Sequence, residues 1–135
     1  MSGPYSLGMD EAVTIYEAVG GHDWFVGLID RFYDAVDTDV LLRPLYPDDL
    51  TESREHMVKF LAQYWGGPTT YSEQRGHPRL RMRHAPFVIT SAEKDAWLHH
   101  MVNAVRSGDL EPEIEQRMVD YFDMAASHLI NAGSA

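Results

Sequence analysis

The chain has 135 residues, enough for one domain with a buried core and a single pocket and too few for a second domain. Its 44% hydrophobic and 24% charged residues exclude general disorder, and 11 Lys plus Arg against 21 Asp plus Glu leave a formal charge of -10 that disfavours nucleic acid and anionic lipid as partners. The absence of cysteine removes disulfides, thiolate catalysis and Cys-based metal sites, so any metal must rest on His, carboxylate or a cofactor.

In chain order, residues 1–13 are expected to be an N-terminal extension, 14–131 the folded domain and 132–135 a C-terminal tail. Thr14 followed by Glu17 has capping-box spacing, and Gly20-Gly21 stops the short helix that it opens. Asp23 is placed to cap the next helix, where Phe25, Leu28, Ile29, Phe32, Tyr33 and Val36 recur at steps of three and four as far as about Asp37. One helical turn over Val40 to Arg43, capped by Thr38 or Asp39, should end before Pro44, leaving Leu45-Tyr46-Pro47 as a bent corner. A longer helix from about Thr51 carries Met57, Phe60, Leu61 and Tyr64 on one face, with Ser53 one turn ahead of Met57, and stops at Gly66-Gly67-Pro68. Periodicity is then lost as far as Ile89, apart from a short helix between Pro78 and Pro86. Thr90-Ser91-Ala92-Glu93 is a second capping box, opening a helix with Trp97, Leu98, Met101 and Val105 inward and a stop near Gly108. The last helix starts near Pro112 and turns Ile114, Met118, Tyr121, Phe122, Ala125 and Leu129 inward. No segment alternates with a period of two, so the fold class is all-α. No basic leader precedes a long apolar run and no run reaches membrane-spanning length, so the expected location is the cytoplasm.

None of the seven histidines pairs with another at a zinc-helix spacing; adjacent His99 and His100 point to different faces of a helix and cannot chelate one ion together. A lone histidine is ordinarily a surface or satisfied residue. His84 stands out because Pro78 and Pro86 pin its segment, so that a rigid backbone can aim the imidazole inward. Arg75, Arg79, Arg81 and Arg83 crowd into nine positions, either as a solvated face or as a site for ligand carboxylates or phosphates. Tyr33, Tyr46, Tyr64, Tyr71, Trp65 and Trp97 are aromatics with polar tips, each a core filler or, taken together, a supply of donors to a pocket. No Ser-His-Asp order, phosphate loop or dinucleotide turn is present.

Phe32-Tyr33, Leu45-Tyr46-Pro47, Gln63-Tyr64-Trp65-Gly66-Gly67-Pro68 and above all the run from Tyr71 through Gly76-His77-Pro78-Arg79-Leu80-Arg81-Met82-Arg83-His84-Ala85-Pro86-Phe87 resemble a group II, or O-type, truncated haemoglobin. The resemblance spans about Thr14 to Asn131. It implies a truncated globin with a two-over-two helical sandwich and haem b (iron protoporphyrin IX) as cofactor. It implies His84 as proximal iron ligand, Tyr33, Tyr46 and Trp97 as a distal polar triad, and Ser53 and Met57 at the remaining distal positions. Phe32, Phe60, Leu61, Tyr64, His77, Leu80, Met82, Phe87, Ile89 and Met101 would then line the haem, with Arg81 and its neighbours at the propionates.

The function so implied is binding of dioxygen and other diatomic ligands, carbon monoxide and nitric oxide among them, with slow oxygen release because three donors stabilise the bound ligand. Reaction of oxygen with nitric oxide, or of peroxide, is the expected use. The alternatives are a peroxidase-like or nitric oxide dioxygenase enzyme driven by an unidentified reductase, a haem sensor acting through a partner protein, and a haem-free helical interaction module. Monomer and homodimer are both open.

Overall fold

A computed structural model describes residues 14–76 and 89–128. Six α-helices and no strand occur among the described residues. Helix α1 (Ile15–Val19) opens with the Thr14/Glu17 capping box and ends where Gly20 turns left-handed at φ 111°. Helix α2 spans His22–Asp37. Its expected stripe is wholly buried, from Phe25 to Val36. Its N-cap is Gly21 instead of the expected Asp23, which falls inside the first turn, where its negative charge suits the N-terminal end of the helix dipole.

The chain then turns through a corner. The Asp39 carboxylate accepts from the backbone N–H groups of Leu41 and Leu42 at 2.8 and 3.1 Å, which makes it the cap of a single turn closed by Arg43 N–H to Asp39 C=O at 2.8 Å. Pro44 does not end the turn as expected. A 3-10 turn covers Arg43–Leu45, because a proline in the first turn lacks only an N–H that would have no helical partner there. The Arg43 guanidinium fixes the corner by donating to the carbonyls of Tyr46, Pro47 and Asp48.

Helix α3 (Thr51–Tyr64) follows. Val58, Leu61 and Ala62 are its buried residues, while Met57 and Phe60 are half-buried and Tyr64 is exposed. The sequence reading missed helix α4 (Thr70–Arg75), whose single buried residue, Tyr71, leaves no apolar period to read. The Gln63 side chain fixes it from α3, donating to the Ser72 hydroxyl at 2.6 Å and accepting the Ser72 backbone N–H at 2.9 Å. The helix expected between Pro78 and Pro86 lies outside the described residues. Helix α5 (Ser91–Arg106) opens with the expected Thr90/Glu93 capping box, and α6 covers Pro112–His128.

Helix α2 packs on α3 and on α5, and α5 packs on α6, giving the two-over-two sandwich. Its core is a stack of fully buried apolar side chains, among them Phe25, Phe32, Met101, Met118 and Phe122. Polar groups lock the α2–α5 crossing. Arg31 donates through Nε and Nη2 to the Ala104 carbonyl, and the Trp24 indole N–H donates to the Gly108 carbonyl at 3.0 Å, so carbonyls at the end of α5 gain the partners that the helix itself cannot supply. No described helix is long and apolar enough to cross a membrane.

Candidate functional site

Between α3, α5, α6 and the Tyr46 corner lies a cavity of about 340 Å³, within the range of small-ligand and cofactor pockets. Met57, Phe60 and Leu61 from α3, Ile89 before α5 and Phe122 from α6 give it apolar walls. Three aromatic residues with polar tips line it from three separate elements: Tyr33 from α2, Tyr46 from the corner and Trp97 from α5. The sandwich is what brings them together, since 64 positions separate Tyr33 from Trp97 in the chain.

The three side chains form one packed cluster. The Tyr33 and Tyr46 rings meet edge-on at 5.6 Å, and Phe32 lies edge-on to Tyr33 at 5.0 Å and to Trp97 at 5.2 Å. Burial pushes the Tyr46 hydroxyl up to about 12, against the Trp97 indole N–H, a donor, which pulls it down. Burial, reinforced by the nearby Tyr46, also raises Tyr33 far above an ordinary phenol, and the Arg54 guanidinium offsets only part of this. Arg54 sits over the Tyr33 ring at 5.5 Å, held by Asp30 at 2.9 Å and Asp34 at 3.3 Å. Both phenols therefore keep their protons at neutral pH and remain donors.

Ser53 lines the same cavity, as do Arg75, from the arginine cluster offered as a site for ligand carboxylates, and two basic residues that the sequence reading did not single out, His56 and Lys94. Burial first, and then Arg75, push the His56 imidazole below its ordinary value. Arg75 Nη1 lies 3.2 Å from His56 Nε2, and a guanidinium can only donate, so this nitrogen is the acceptor. On a sequence, such residues look like an ordinary solvated helix face. Tyr121 also faces the cavity from α6, its hydroxyl pushed up to about 12 by burial and by Tyr64.

Of the other residues proposed from the sequence, Phe32 and Met101 are fully buried but are not among the cavity's lining residues, and they pack in the core. Tyr64 is 49% exposed and stacks on Tyr121 at 4.1 Å. His77, Leu80, Arg81, Met82, His84 and Phe87 lie outside the described residues. Arg75 and Ile89, which precede and follow that segment in the chain, both line the cavity.

The donor set fits a macrocyclic cofactor better than a bare ion. Among the described residues no three His, Cys, Asp or Glu side chains group to hold a metal. What the cavity offers instead is apolar wall, neutral donors and basic side chains suited to carboxylate substituents.

Residues 14–131 match the model of the bacterial-like globin family. A group 2 truncated haemoglobin of Bacillus subtilis, YjbI, is 42% identical over 120 residues, 89% of this chain and 90% of that protein. The chain belongs to the group II truncated haemoglobins. Solved structures of this family superpose closely on it. The thermostable haemoglobin of Thermobifida fusca matches with a TM-score of 0.87 at 50% identity, over 89% of this chain and 98% of that one. A truncated oxygen-avid haemoglobin from Bacillus subtilis matches at 0.83 and 42%, over 87% and 99%. As a truncated haemoglobin the protein uses haem b and binds diatomic gases such as oxygen, and the cavity residues described above suit that cofactor.

Proposed function

We propose that this truncated haemoglobin holds dioxygen through Tyr33, Tyr46 and Trp97, with His84 as proximal iron ligand, and releases it slowly. The observation that carries this reading is that Tyr33, Tyr46 and Trp97, from three separate elements, line one largely apolar cavity, with both phenols protonated at neutral pH. Haem b supplies the ferrous iron at which a diatomic ligand binds. The protein's own part is electrostatic: fixed O–H and N–H dipoles stabilise a ligand that gathers negative charge, and they cost no reorganisation because packing already orients them. Carbon monoxide, which gathers less charge, gains less. The apolar walls exclude water that would compete for the donors, and Ser53 keeps a small side chain at the distal wall. Arg75 and Lys94, with Arg81, are suited to the haem propionates, as guanidinium and ammonium groups are to carboxylates.

The oxygen-avid Bacillus subtilis relative supports slow release. The same polar cage suits oxygen for reaction with nitric oxide and suits peroxide; an enzymatic use needs an external reductase, and sustained turnover with such a donor would distinguish it from simple binding. Stopped-flow oxygen dissociation tests the donor assignment. Trp97→Phe and Tyr46→Phe should each speed release by about tenfold, equivalent to about 1.4 kcal/mol for one lost hydrogen bond. Unchanged rates in both variants would overturn it.

A further inference from the structure

The His99-His100 pair has no place in the gas-binding reading, yet only one of the two is exposed. His100 turns toward the corner between α2 and α3, and its Nε2 lies 2.6 Å from Asp39 Oδ2. Both groups are largely shielded, with side-chain exposures of 19% and 18%. A carboxylate cannot donate, so His100 Nε2–H donates to Asp39, whose other oxygen, Oδ1, takes the backbone N–H groups of Leu41 and Leu42.

From Asp39 a continuous ladder leads to the cavity. Arg43 N–H donates to the Asp39 carbonyl, Leu45 N–H to that of Leu42, and Tyr46 N–H to that of Arg43. Leu42, Leu45 and Tyr46 all line the cavity. At the other end of the tie, His100 stands three positions after Trp97 on α5, on adjoining turns of one helix face. The Asp39–His100 bond therefore joins the segment that presents Tyr46 to the helix that presents Trp97, and Tyr46 and Trp97 line the same cavity.

We infer that His100, through its bond to Asp39, is a positioning residue that sets the Tyr46 hydroxyl against Trp97 at the ligand cavity. The inference rests on the reading of Tyr46 and Trp97 as ligand donors. Loss of the tie leaves both donors in place but misaligned, so its effect should vanish once Tyr46 has no hydroxyl to position.

The test is a double-mutant cycle in the haem-loaded protein between His100→Leu and Tyr46→Phe. It is read by oxygen dissociation and by the C–O stretching band of the carbon monoxide complex, which reports donor placement. His100→Leu should speed oxygen release about three- to tenfold in the Tyr46 background and less than about twofold in Tyr46→Phe, as expected of coupled neighbours. The C–O band should shift in the first background only. His100→Gln, which can still donate to Asp39, should recover most of the wild-type rate and band; this variant carries the test if His100→Leu does not fold. Imidazole nitrogen shifts should show His100 Nε2 protonated in the wild-type chain with or without haem. Equal effects of His100→Leu in both backgrounds, or none in either while Tyr46→Phe alone changes both readouts, would overturn the inference by itself. No effect of Tyr46→Phe would overturn the reading of Tyr46 as a ligand donor, and the inference with it. With His100→Gln as the working variant, failure to restore the wild-type rate and band, or an Nε2 without a proton, overturns it.

Discussion

Tyr33 and Tyr46 meet edge-on at the cavity, ring centroids 5.6 Å apart and planes at 84°, although one comes from the second half of α2 and the other from the corner beyond its end. Both phenols are buried, and burial is the first reason that neither ionises cheaply. The raised value of Tyr33 has burial as its first cause and Tyr46 as its second.

This gives an alkaline limit to stability. A phenol whose folded pKa lies above its unfolded value of about 10 contributes fully below that value and loses its contribution as pH rises toward the folded one. With Tyr46 and Tyr121 each at about 12 and Tyr33 raised further, stability should fall steadily above pH of about 10. Thermal unfolding across alkaline pH should show this slope, and Tyr46→Phe should make it shallower.

On the acid side the sign reverses. The His100 hydrogen bond first, with the Leu41 and Leu42 N–H groups, holds the Asp39 carboxyl below its ordinary value against the opposing effect of desolvation. A depressed carboxylate stabilises above its unfolded pKa, and that contribution disappears as pH falls through the folded value. Asp39→Asn should therefore flatten the acid limb of the stability profile while leaving the alkaline limb unchanged. An acid limb identical to wild type would contradict the pairing.

Two glycines with left-handed backbones should respond differently to alanine. Gly20 (φ 111°) has nothing within 4 Å of an added Cβ, so Gly20→Ala meets only conformational strain of about 1 kcal/mol. At Gly66 (φ 99°) the new methyl would sit 2.6 Å from Thr14 Cβ, in the seat where α1 docks through Tyr16 N–H to the Trp65 carbonyl. Gly66→Ala should cost about 2–4 kcal/mol, combining strain and overpacking, in urea unfolding. Equal costs at the two positions would show that α1 is not seated as described.

Phe32 supports two of the three donors from behind, and it is wholly buried. Phe32→Ala should cost about 3–5 kcal/mol, from lost burial and the cavity left behind. Calorimetric unfolding measures it, and the loss should exceed that of Arg54→Met, whose ion pairs and ring contact are half-exposed and worth about 1 kcal/mol.

What could be read from the sequence was local or periodic. The α2 stripe was legible because six apolar residues at helical spacing all turn to one core, and the boxes at Thr14/Glu17 and Thr90/Glu93 because side chain and backbone pair within four residues. Helix α4 was not, since the Gln63 amide that holds Ser72 is a contact between helices. Pro44 misled because its ring ends an α-helix yet suits the start of a 3-10 turn. At the site, periodicity placed Tyr33 and Trp97 on inward stripes but gave no sign that Tyr46 would join them; that grouping came from the resemblance to a family. His56, Lys94 and the Asp39–His100 tie had no signal, being single polar residues joined only by the fold.

The proposed haem site is this cavity together with His84. Titration of the haem-free chain with haemin, followed by spectra of the oxidised, reduced and carbon monoxide forms beside His84→Gly, tests it most directly. Stoichiometric binding is expected, with a strong Soret band that shifts on reduction and on carbon monoxide addition, and with a spectrum altered in the variant. A wild-type chain that forms no specific band, or a His84→Gly spectrum identical to wild type in every state, would contradict it.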